Sequence, residues 1–188
     1  MTIRRVLLVG RPGSRKTLVA RDMWRALPPM SEACALDLAW LRQGLGLWGP
    51  TETPFRAPHH TVSERGLVGS WSNGKIYPGE VSFAHGGCLL LDDLSEFRRM
   101  GIQHLGEVLR KEHCMLRGIR IPAAPTLVVA TTNLCDCGPH IAGCTCSAAA
   151  IEGFWRRVNE YSDILNLDSV YVTGRYASDL AKCYGRAG

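Results

Sequence analysis

Short unbroken apolar runs mark the strands of this chain. Residues 6–9 read Val-Leu-Leu-Val, residues 88–91 read Cys-Leu-Leu-Leu, and residues 127–130 read Leu-Val-Val-Ala. Strands that are buried on both faces carry such runs, whereas half-exposed strands alternate apolar and polar residues. The predicted strands cover residues 3–9, 88–91, 126–132 and 167–172.

Apolar residues at helical spacing lie between these strands. The clearest stripe consists of Ile102, Leu105, Val108 and Leu109. The predicted helices cover residues 16–27, 31–43, 98–111 and 147–158, and a further short helix is expected at the end of the chain. Continuous strands alternating with helices predict a parallel sheet covered on both faces, which is a three-layer αβα domain of the α/β class.

Two segments depart from this regular alternation. Residues 44–87 are rich in glycine and proline and weakly periodic, so we predict an insertion built from short elements. Residues 113–123 are expected to form a hairpin. The predicted domain therefore covers residues 1–172, including this insertion and a cysteine-rich loop over 134–147, and a short tail covers 173–188.

Composition limits the class of protein. The chain has 188 residues, 46% of them apolar and 21% charged, which is ordinary for one globular domain. No apolar run approaches the roughly 20 residues that span a membrane, and the start lacks the pattern of a signal peptide. We expect a cytoplasmic protein without a membrane partner. The net charge of +5 is dispersed along the chain and does not by itself indicate a DNA partner.

A phosphate-binding loop follows the first predicted strand. Residues 10–17 read Gly-Arg-Pro-Gly-Ser-Arg-Lys-Thr, which differs from the P-loop pattern because Arg15 replaces a glycine. In such loops, backbone N–H groups at a helix N-terminus surround phosphates, the lysine reaches the outer phosphates and the Thr17 hydroxyl binds Mg²⁺. The expected nucleotide-binding residues are Gly10, Pro12, Gly13, Ser14, Arg15, Lys16, Thr17 and Leu18.

Polar side chains follow the two later strands. Asp92 and Asp93 come directly after the strand over 88–91, where a carboxylate holds the Mg²⁺ water shell in phosphate-transferring enzymes. Asn133 follows the strand over 126–132, and we expect it near the γ-phosphate. The predicted catalytic residues are Lys16, Asp93 as the water-positioning base, and Asn133; Thr17 and Asp92 are the predicted Mg²⁺ ligands. The alternative is that Asp92, Asp93 and Asn133 only form turns.

Four of the eight cysteines lie close together, at Cys135, Cys137, Cys144 and Cys146. Two short pairs joined by a flexible span can supply four thiolates to a tetrahedral Zn²⁺. Such a zinc ion would be structural and would fix the loop after Asn133. His140 is a further candidate ligand. The alternative is a set of reduced thiols without metal.

Aromatic and histidine residues in the insertion permit two interpretations. Trp48 and Trp71, which lie near glycines, could stack on nucleic-acid bases, although buried packing is favoured for each. Adjacent His59 and His60 point to different sides of an extended chain, so local hydrogen bonding is favoured over metal binding.

Several segments resemble the magnesium-chelatase-like AAA+ ATPases, and the ComM-like type in particular. They are Phe-Arg-Ala-Pro-His-His-Thr at 55–61, Leu-Val-Gly at 67–69, Pro-Gly-Glu-Val-Ser at 78–82 and Ala-His-Gly-Gly at 84–87. The resemblance covers about residues 3–172. It implies an AAA+ P-loop core that binds ATP and Mg²⁺, assembles into a homo-oligomeric, hexameric ring, and takes part in DNA processing.

The chain also departs from that family. Arg11 and Arg15 replace a proline and a glycine of the loop, Asp93 replaces a glutamate, and Asn166 occupies the place of an arginine that reaches the neighbouring subunit. Arg15 either obstructs the nucleotide or adds a phosphate contact. The C-terminal helical lid is expected to be absent.

These departures leave three functional hypotheses open. The first is an ATP-binding AAA+ domain with weak Mg²⁺-dependent hydrolysis, coupled to DNA processing. The second is a degenerate, catalytically inactive AAA+ module that acts in binding or assembly. The third is a nucleic-acid-binding motor subunit, whose binding would weaken steeply with salt.

Overall fold

The computed structural model describes residues 4–47, 52–135 and 144–172, the last four of these as backbone only. Nine strands and six α-helices are found in these ranges. The strands are β1 (Arg4–Val9), β2 (Phe55–Arg56), β3 (Gly69–Ser72), β4 (Lys75–Pro78), β5 (Cys88–Leu91), β6 (His113–Leu116), β7 (Ile119–Pro122), β8 (Leu127–Thr132) and β9 (Ser169–Val172). The helices are α1 (Lys16–Arg25), α2 (Glu32–Gln43), α3 (Glu64–Val68), α4 (Glu80–Phe83), α5 (Arg99–Lys111) and α6 (Ala148–Leu165).

A five-stranded parallel sheet organises the domain. Its strand order is β2-β5-β8-β1-β9, so β8 lies between the two strands that lead to the predicted phosphate loop and to the paired aspartates. In this register Val9 is the partner of Thr132, and Leu91 is the partner of Ala130. The carboxyl ends of the three central strands therefore meet at one edge of the sheet.

Helices cover both faces of the sheet, as the unbroken apolar runs predicted. Val6, Leu8 and Leu90 pack on one face with Ala20 of α1. Their alternate neighbours, including Leu7 and Leu89, pack on the other face with α5 and α6. Because both faces are buried, every residue of β5 and β8 is buried. The three-layer αβα fold is confirmed.

The structure differs from the predicted elements at two places, and a third prediction is not tested. Helix α6 continues to Leu165 instead of ending at 158, because Phe154, Val158, Tyr161 and Leu165 continue its buried stripe. The segment predicted as an insertion contributes β2, which adds a parallel edge strand to the sheet. The short helix expected at the end of the chain lies outside the described residues.

Two hairpins project from the core. Strands β3 and β4 form one within the segment predicted as an insertion, and β6 and β7 form the predicted hairpin. A bidentate ion pair connects β2 to α4. Arg56 donates from Nε and Nη2 to the Glu80 carboxylate at 2.7 and 2.8 Å. His59 Nδ1 lies 2.9 Å from the Thr61 hydroxyl, which agrees with the expected local hydrogen bonding.

No helix in the described ranges is long and apolar enough to cross a membrane.

A single arginine at the start of β1 connects the sheet to two helices. Arg5 donates from Nη1 to the Leu165 carbonyl at 2.9 Å and from Nη2 to the Leu109 carbonyl at 3.2 Å. These carbonyls belong to the last turns of α6 and α5, where backbone acceptors lack helical partners and a positive charge is favourable. Burial lowers the pKa of Arg5, while the nearby Asp168 carboxylate acts in the opposite direction. The guanidinium thus joins the C-terminal ends of both helices to the first strand.

We expect Arg5→Met to lower the free energy of unfolding by about 2 kcal/mol, because it removes two charge-assisted hydrogen bonds and keeps the aliphatic part of the side chain. Urea unfolding followed by circular dichroism measures this change. The matched control is Arg4→Met at the exposed neighbouring residue, for which a change below about 0.5 kcal/mol is expected. Equal effects of the two substitutions would contradict the bridging role.

Candidate nucleotide-binding site

The loop over residues 10–15 connects β1 to α1 and is held at both ends by backbone hydrogen bonds. Gly10 N–H donates to the Thr132 carbonyl of β8 at 3.2 Å, and Ser14 N–H donates to the Arg11 carbonyl at 3.1 Å. Gly13 has a φ of +78°, a left-handed conformation that glycine adopts without steric cost. The loop therefore delivers the chain to the N-terminus of α1, where backbone N–H groups have no helical acceptor.

Arg15 adopts the backbone conformation that the P-loop pattern reserves for glycine. Its φ is 64° and its ψ is 28°, in the left-handed region, immediately before α1 begins. A residue with a Cβ pays roughly 1–2 kcal/mol for this conformation. The side chain is exposed, and it lines the cavity above the loop. Arg15 thus takes a left-handed conformation despite its Cβ, and its cationic side chain borders the cavity.

Lys16 is buried at the first position of α1, and its ammonium group has three oxygen acceptors. Nζ donates to the Gly10 carbonyl at 3.0 Å, to the Arg11 carbonyl at 3.1 Å and to Asn133 Oδ1 at 3.0 Å. Burial lowers the pKa of Lys16, whereas the carboxylates of Asp93 and Asp92 act in the opposite direction. This lysine connects the loop to the end of β8.

A second set of contacts joins α1 to the carboxylates after β5. Thr17 Oγ1 donates to Asp92 Oδ2 at 3.1 Å. Asn133 Nδ2 donates to Asp93 Oδ1 at 3.2 Å. Hydroxyl and carboxylate oxygens are the ligands that Mg²⁺ takes from proteins. The pair formed by Thr17 and Asp92 is therefore a suitable donor set for this ion.

The predicted residues surround one cavity of about 430 Å³. It is lined by Pro12, Gly13, Arg15, Lys16, Thr17, Leu18, Asp92, Asp93 and Asn133. Gly10 and Ser14 belong to the loop but are not among the residues that line this cavity. Lys16, Thr17, Asp92, Asp93 and Asn133 lie together as expected. Their individual catalytic and ligand roles stay predictions. Three larger cavities in the described ranges contain none of these residues.

Thr131 is a residue of this site that the sequence reasoning missed. Its hydroxyl donates to Asp92 Oδ1 at 2.5 Å and accepts from the Asp93 backbone N–H at 3.1 Å. It is fully buried in β8. The sequence contains a signal for this role, since two threonines end an otherwise apolar strand. A buried hydroxyl needs a hydrogen-bond partner, and the aspartates were the candidates. Thr131 thereby orients the Asp92 carboxylate and holds the backbone of Asp93.

Three of the four clustered cysteines also converge. Their sulfur atoms, from Cys135, Cys144 and Cys146, lie within 4.8 Å of one another. Cys135 Sγ and Cys144 Sγ are 3.4 Å apart. Zn–S bonds of about 2.3 Å in a tetrahedron place sulfur atoms about 3.8 Å apart, so this spacing suits a zinc ion. Cys137 and His140 lie outside the described residues.

Asn166 ends α6. It stands where the family resemblance predicts an arginine that reaches the neighbouring subunit. Its φ is 53°, and its backbone N–H closes the helix by donating to the Asp163 carbonyl. Asparagine tolerates this left-handed conformation better than most residues. The residue found here therefore suits the helix end.

A phosphate loop between the first strand and first helix, with an acidic pair and an asparagine after neighbouring parallel strands, defines a P-loop nucleoside-triphosphatase fold of the AAA+ class. Solved structures agree with this fold. The BchI–BchD complex of magnesium chelatase aligns with a TM-score of 0.57 at 18% identity, over 97% of this chain and 58% of that one. NtrX from Brucella abortus in complex with ADP aligns with a TM-score of 0.54 at 19% identity, over 91% and 33%.

The sequence identifies the family. Residues 3–168 match the family described as magnesium chelatase, subunit ChlI, and the chain belongs to that family. The competence protein ComM of Haemophilus influenzae is 35% identical over 66% of this chain and 26% of its own length. YifB of Salmonella typhimurium is 39% identical over 54% and 21%. An uncharacterized protein of Mycobacterium bovis is 33% identical over 77% and 30%. The matches thus span about a fifth to a third of these relatives.

We expect Thr131→Val to weaken Mg²⁺–ADP binding about tenfold while leaving Mg²⁺-free ADP binding nearly unchanged, because the substitution removes the hydroxyl that orients Asp92. Titration calorimetry with and without Mg²⁺ measures the two affinities.

Thr132→Val is the matched control, since the neighbouring hydroxyl is buried and finds no hydrogen-bond partner in the described parts of the chain. Equal losses with and without Mg²⁺ in the Thr131 variant would contradict an effect through the metal ligand.

Proposed function

We propose that this domain binds ATP with Mg²⁺ and hydrolyses it slowly. The observation that carries the proposal is the contact between Thr17 and Asp92 beside the buried Lys16 ammonium, at the N-terminus of α1. Family membership supports it, as does the complex of the structural neighbour NtrX with ADP. Together they favour a nucleotide whose phosphates lie in the 430 Å³ cavity.

Each polar group of the cavity has a proposed task. The loop amides and Lys16 bind phosphate oxygens, and Thr17 with Asp92 holds the metal. Mg²⁺, when bound, neutralises the charge that develops on the transferred phosphoryl group. Asp93 positions the attacking water, and Asn133, which already contacts both Lys16 and Asp93, senses the outer phosphate.

Three residues support slow turnover. Arg15 places a side chain where the pattern has glycine, and Asp93 is one methylene shorter than glutamate, so its carboxylate is withdrawn by about 1.5 Å. Positional errors of this size slow catalysis. Asn166 cannot replace an arginine finger, which contributes about 10³–10⁵ in rate in related reactions.

The same residues also favour a second candidate, a catalytically inactive module that retains the fold and acts in binding or assembly. The hydrogen bonds of Thr131 to both aspartates favour the first candidate, because they maintain the geometry needed at a metal.

Assembly and DNA processing belong to the same proposal. The structural neighbour BchI forms a complex with a second magnesium-chelatase subunit, BchD. We propose that this chain forms a homo-oligomeric ring, hexameric as in the family that it resembles, and that it works on DNA in the cytoplasm, where ATP is available and clustered cysteines remain reduced.

Titration calorimetry with ATP or ADP, with and without Mg²⁺, tests the nucleotide site. We expect Arg15→Gly to tighten Mg²⁺-dependent binding about tenfold, which corresponds to about 1.4 kcal/mol, because glycine permits a closer approach of the phosphates. Lys16→Met should weaken binding about a hundredfold, since it removes a buried charged donor. Phosphate release in the same samples reports turnover.

The outcomes separate the hypotheses. If the wild type already binds as tightly as the glycine variant and both need Lys16, nucleotide binding is supported and obstruction by Arg15 is wrong. If neither the wild type nor Arg15→Gly binds nucleotide, the ATPase proposal fails and the inactive module is favoured.

We also propose that the cysteine-rich loop holds a structural zinc ion. The three described sulfur atoms are close enough to share it, and Cys137 is proposed as the fourth ligand from its spacing in the sequence. Since Cys135 is two positions after Asn133, such an ion would fix the segment that carries the asparagine.

We expect about one zinc per chain in protein purified with zinc, measured by elemental mass spectrometry, and a large loss in Cys144→Ser or Cys146→Ser, because a zinc site depends on each thiolate. Cys34→Ser is the control, since this free cysteine lies in α2, outside the cluster. Zinc-free wild-type protein would contradict the site.

A further inference from the structure

The turn that follows the paired aspartates is held by side chains of α6. This turn is a single turn of 3₁₀ helix, Leu94–Glu96, and backbone carbonyls at the end of a helix lack donors within the helix. Tyr161 Oη donates to the Phe97 carbonyl at 3.1 Å, and Arg157 Nη1 donates to the Ser95 carbonyl at 3.3 Å. Helix α6 thus supplies two donors to the end of the turn.

The residue just before this turn has a backbone conformation that needs support. Asp93 is left-handed, with a φ of 56° and a ψ of 61°, and a non-glycine residue stays there only where the surrounding contacts determine it. On the side of β8, the Thr131 hydroxyl accepts from the Asp93 N–H at 3.1 Å. On the side of the turn, the Glu96 N–H donates to the Asp93 carbonyl at 2.9 Å. Asp93 therefore lies between the sheet and a turn that α6 holds.

The contacts between α6 and the turn lie in the protein interior. Tyr161, Ser95 and Phe97 are 3%, 6% and 4% exposed. A buried carbonyl that loses its donor retains the cost of its removal from water, so the loss of one hydroxyl is expected to displace the turn. Arg157 lies four residues before Tyr161, on the same face of α6, which lets both side chains reach the same turn.

We infer that Arg157 and Tyr161 are positioning residues for Asp93, the group proposed to orient the attacking water. The inference rests on the proposed ATP hydrolysis. Neither side chain is among those that line the 430 Å³ cavity, so both act through the turn and not on the nucleotide. Because a displacement of about 1 Å at a reacting group can cost up to a hundredfold in rate, their loss is expected to affect turnover more than binding.

Tyr161→Phe tests the inference, since it removes one hydroxyl and keeps the buried ring. We expect kcat for Mg²⁺–ATP hydrolysis to fall about tenfold, with the Kd and stoichiometry of ATP binding unchanged, because Asp93 orients water and does not hold the nucleotide. Arg157→Met should have a smaller effect in the same direction. Arg156→Met, at the exposed neighbouring residue, is the control and should change nothing. Phosphate release and titration calorimetry measure these quantities.

A double-mutant cycle separates positioning from a general loss of structure. In an Asp93→Ala background, Tyr161→Phe should lower the residual kcat no further, because the group that the hydroxyl positions is gone. A substitution that only destabilised the fold would lower activity in both backgrounds.

Hydrogen exchange of the amides over 93–97, followed by mass spectrometry, reports on the turn without requiring turnover. We expect faster exchange in Tyr161→Phe and no change in Arg156→Met, because only the first variant removes a contact with the turn.

The outcomes distinguish this inference from the proposed function. If the wild type hydrolyses ATP and Tyr161→Phe retains its kcat, or lowers kcat equally in the Asp93→Ala background, the inference is wrong and the proposed function stands. If the wild type does not hydrolyse ATP, the proposed hydrolysis fails, and with it the role of the turn in orienting water. Hydrogen exchange then still decides the structural part, since unchanged exchange over 93–97 in Tyr161→Phe would show that α6 does not hold the turn.

Discussion

Parallel pairing of β1 and β5 on the two sides of β8 is the constraint on which the rest of the structure depends. The register aligns the ends of these strands, so the residues that follow them emerge at one edge of the sheet. The phosphate loop, the two aspartates and Asn133 are separated by long stretches of sequence, yet they meet there. Hydrogen bonds from Lys16 to Asn133 and from Thr17 to Asp92 then join the three strand ends.

Much of this arrangement could be predicted, because it depends on local patterns. Unbroken apolar runs identified β1, β5 and β8. The loop pattern after the first run and the polar residues after the other two predicted the residues that line the cavity. Features that depend on tertiary contacts could not be predicted. Thr131 belongs to an apolar strand in sequence, and only the neighbouring β5 brings the aspartates to its hydroxyl. The two residues of β2 are too few for a periodic signal. Trp71, for which buried packing was favoured, is 38% exposed, because its environment depends on what the β3–β4 hairpin packs against.

The departures from the family pattern differ in their structural effect. Arg15 occupies a left-handed position at a steric cost. Asn166 fits its left-handed position at the end of α6 and is shorter than the arginine that the family resemblance predicts there. Asp93 is also left-handed, and its carboxylate contacts Asn133. All three residues thus share a left-handed backbone conformation, and they differ from the expected residue types in side-chain length and charge.

Arg5 connects the first strand to the segment around position 166. It stands near one end of β1, while the predicted phosphate loop begins at Gly10, five residues and about 17 Å further along the strand. Its guanidinium holds the Leu165 carbonyl, and its own carbonyl accepts from the Asp168 N–H, so the two bonds bracket position 166. Position 166 is therefore held relative to the loop over residues 10–15 by a single strand and two hydrogen bonds, with no turn between them.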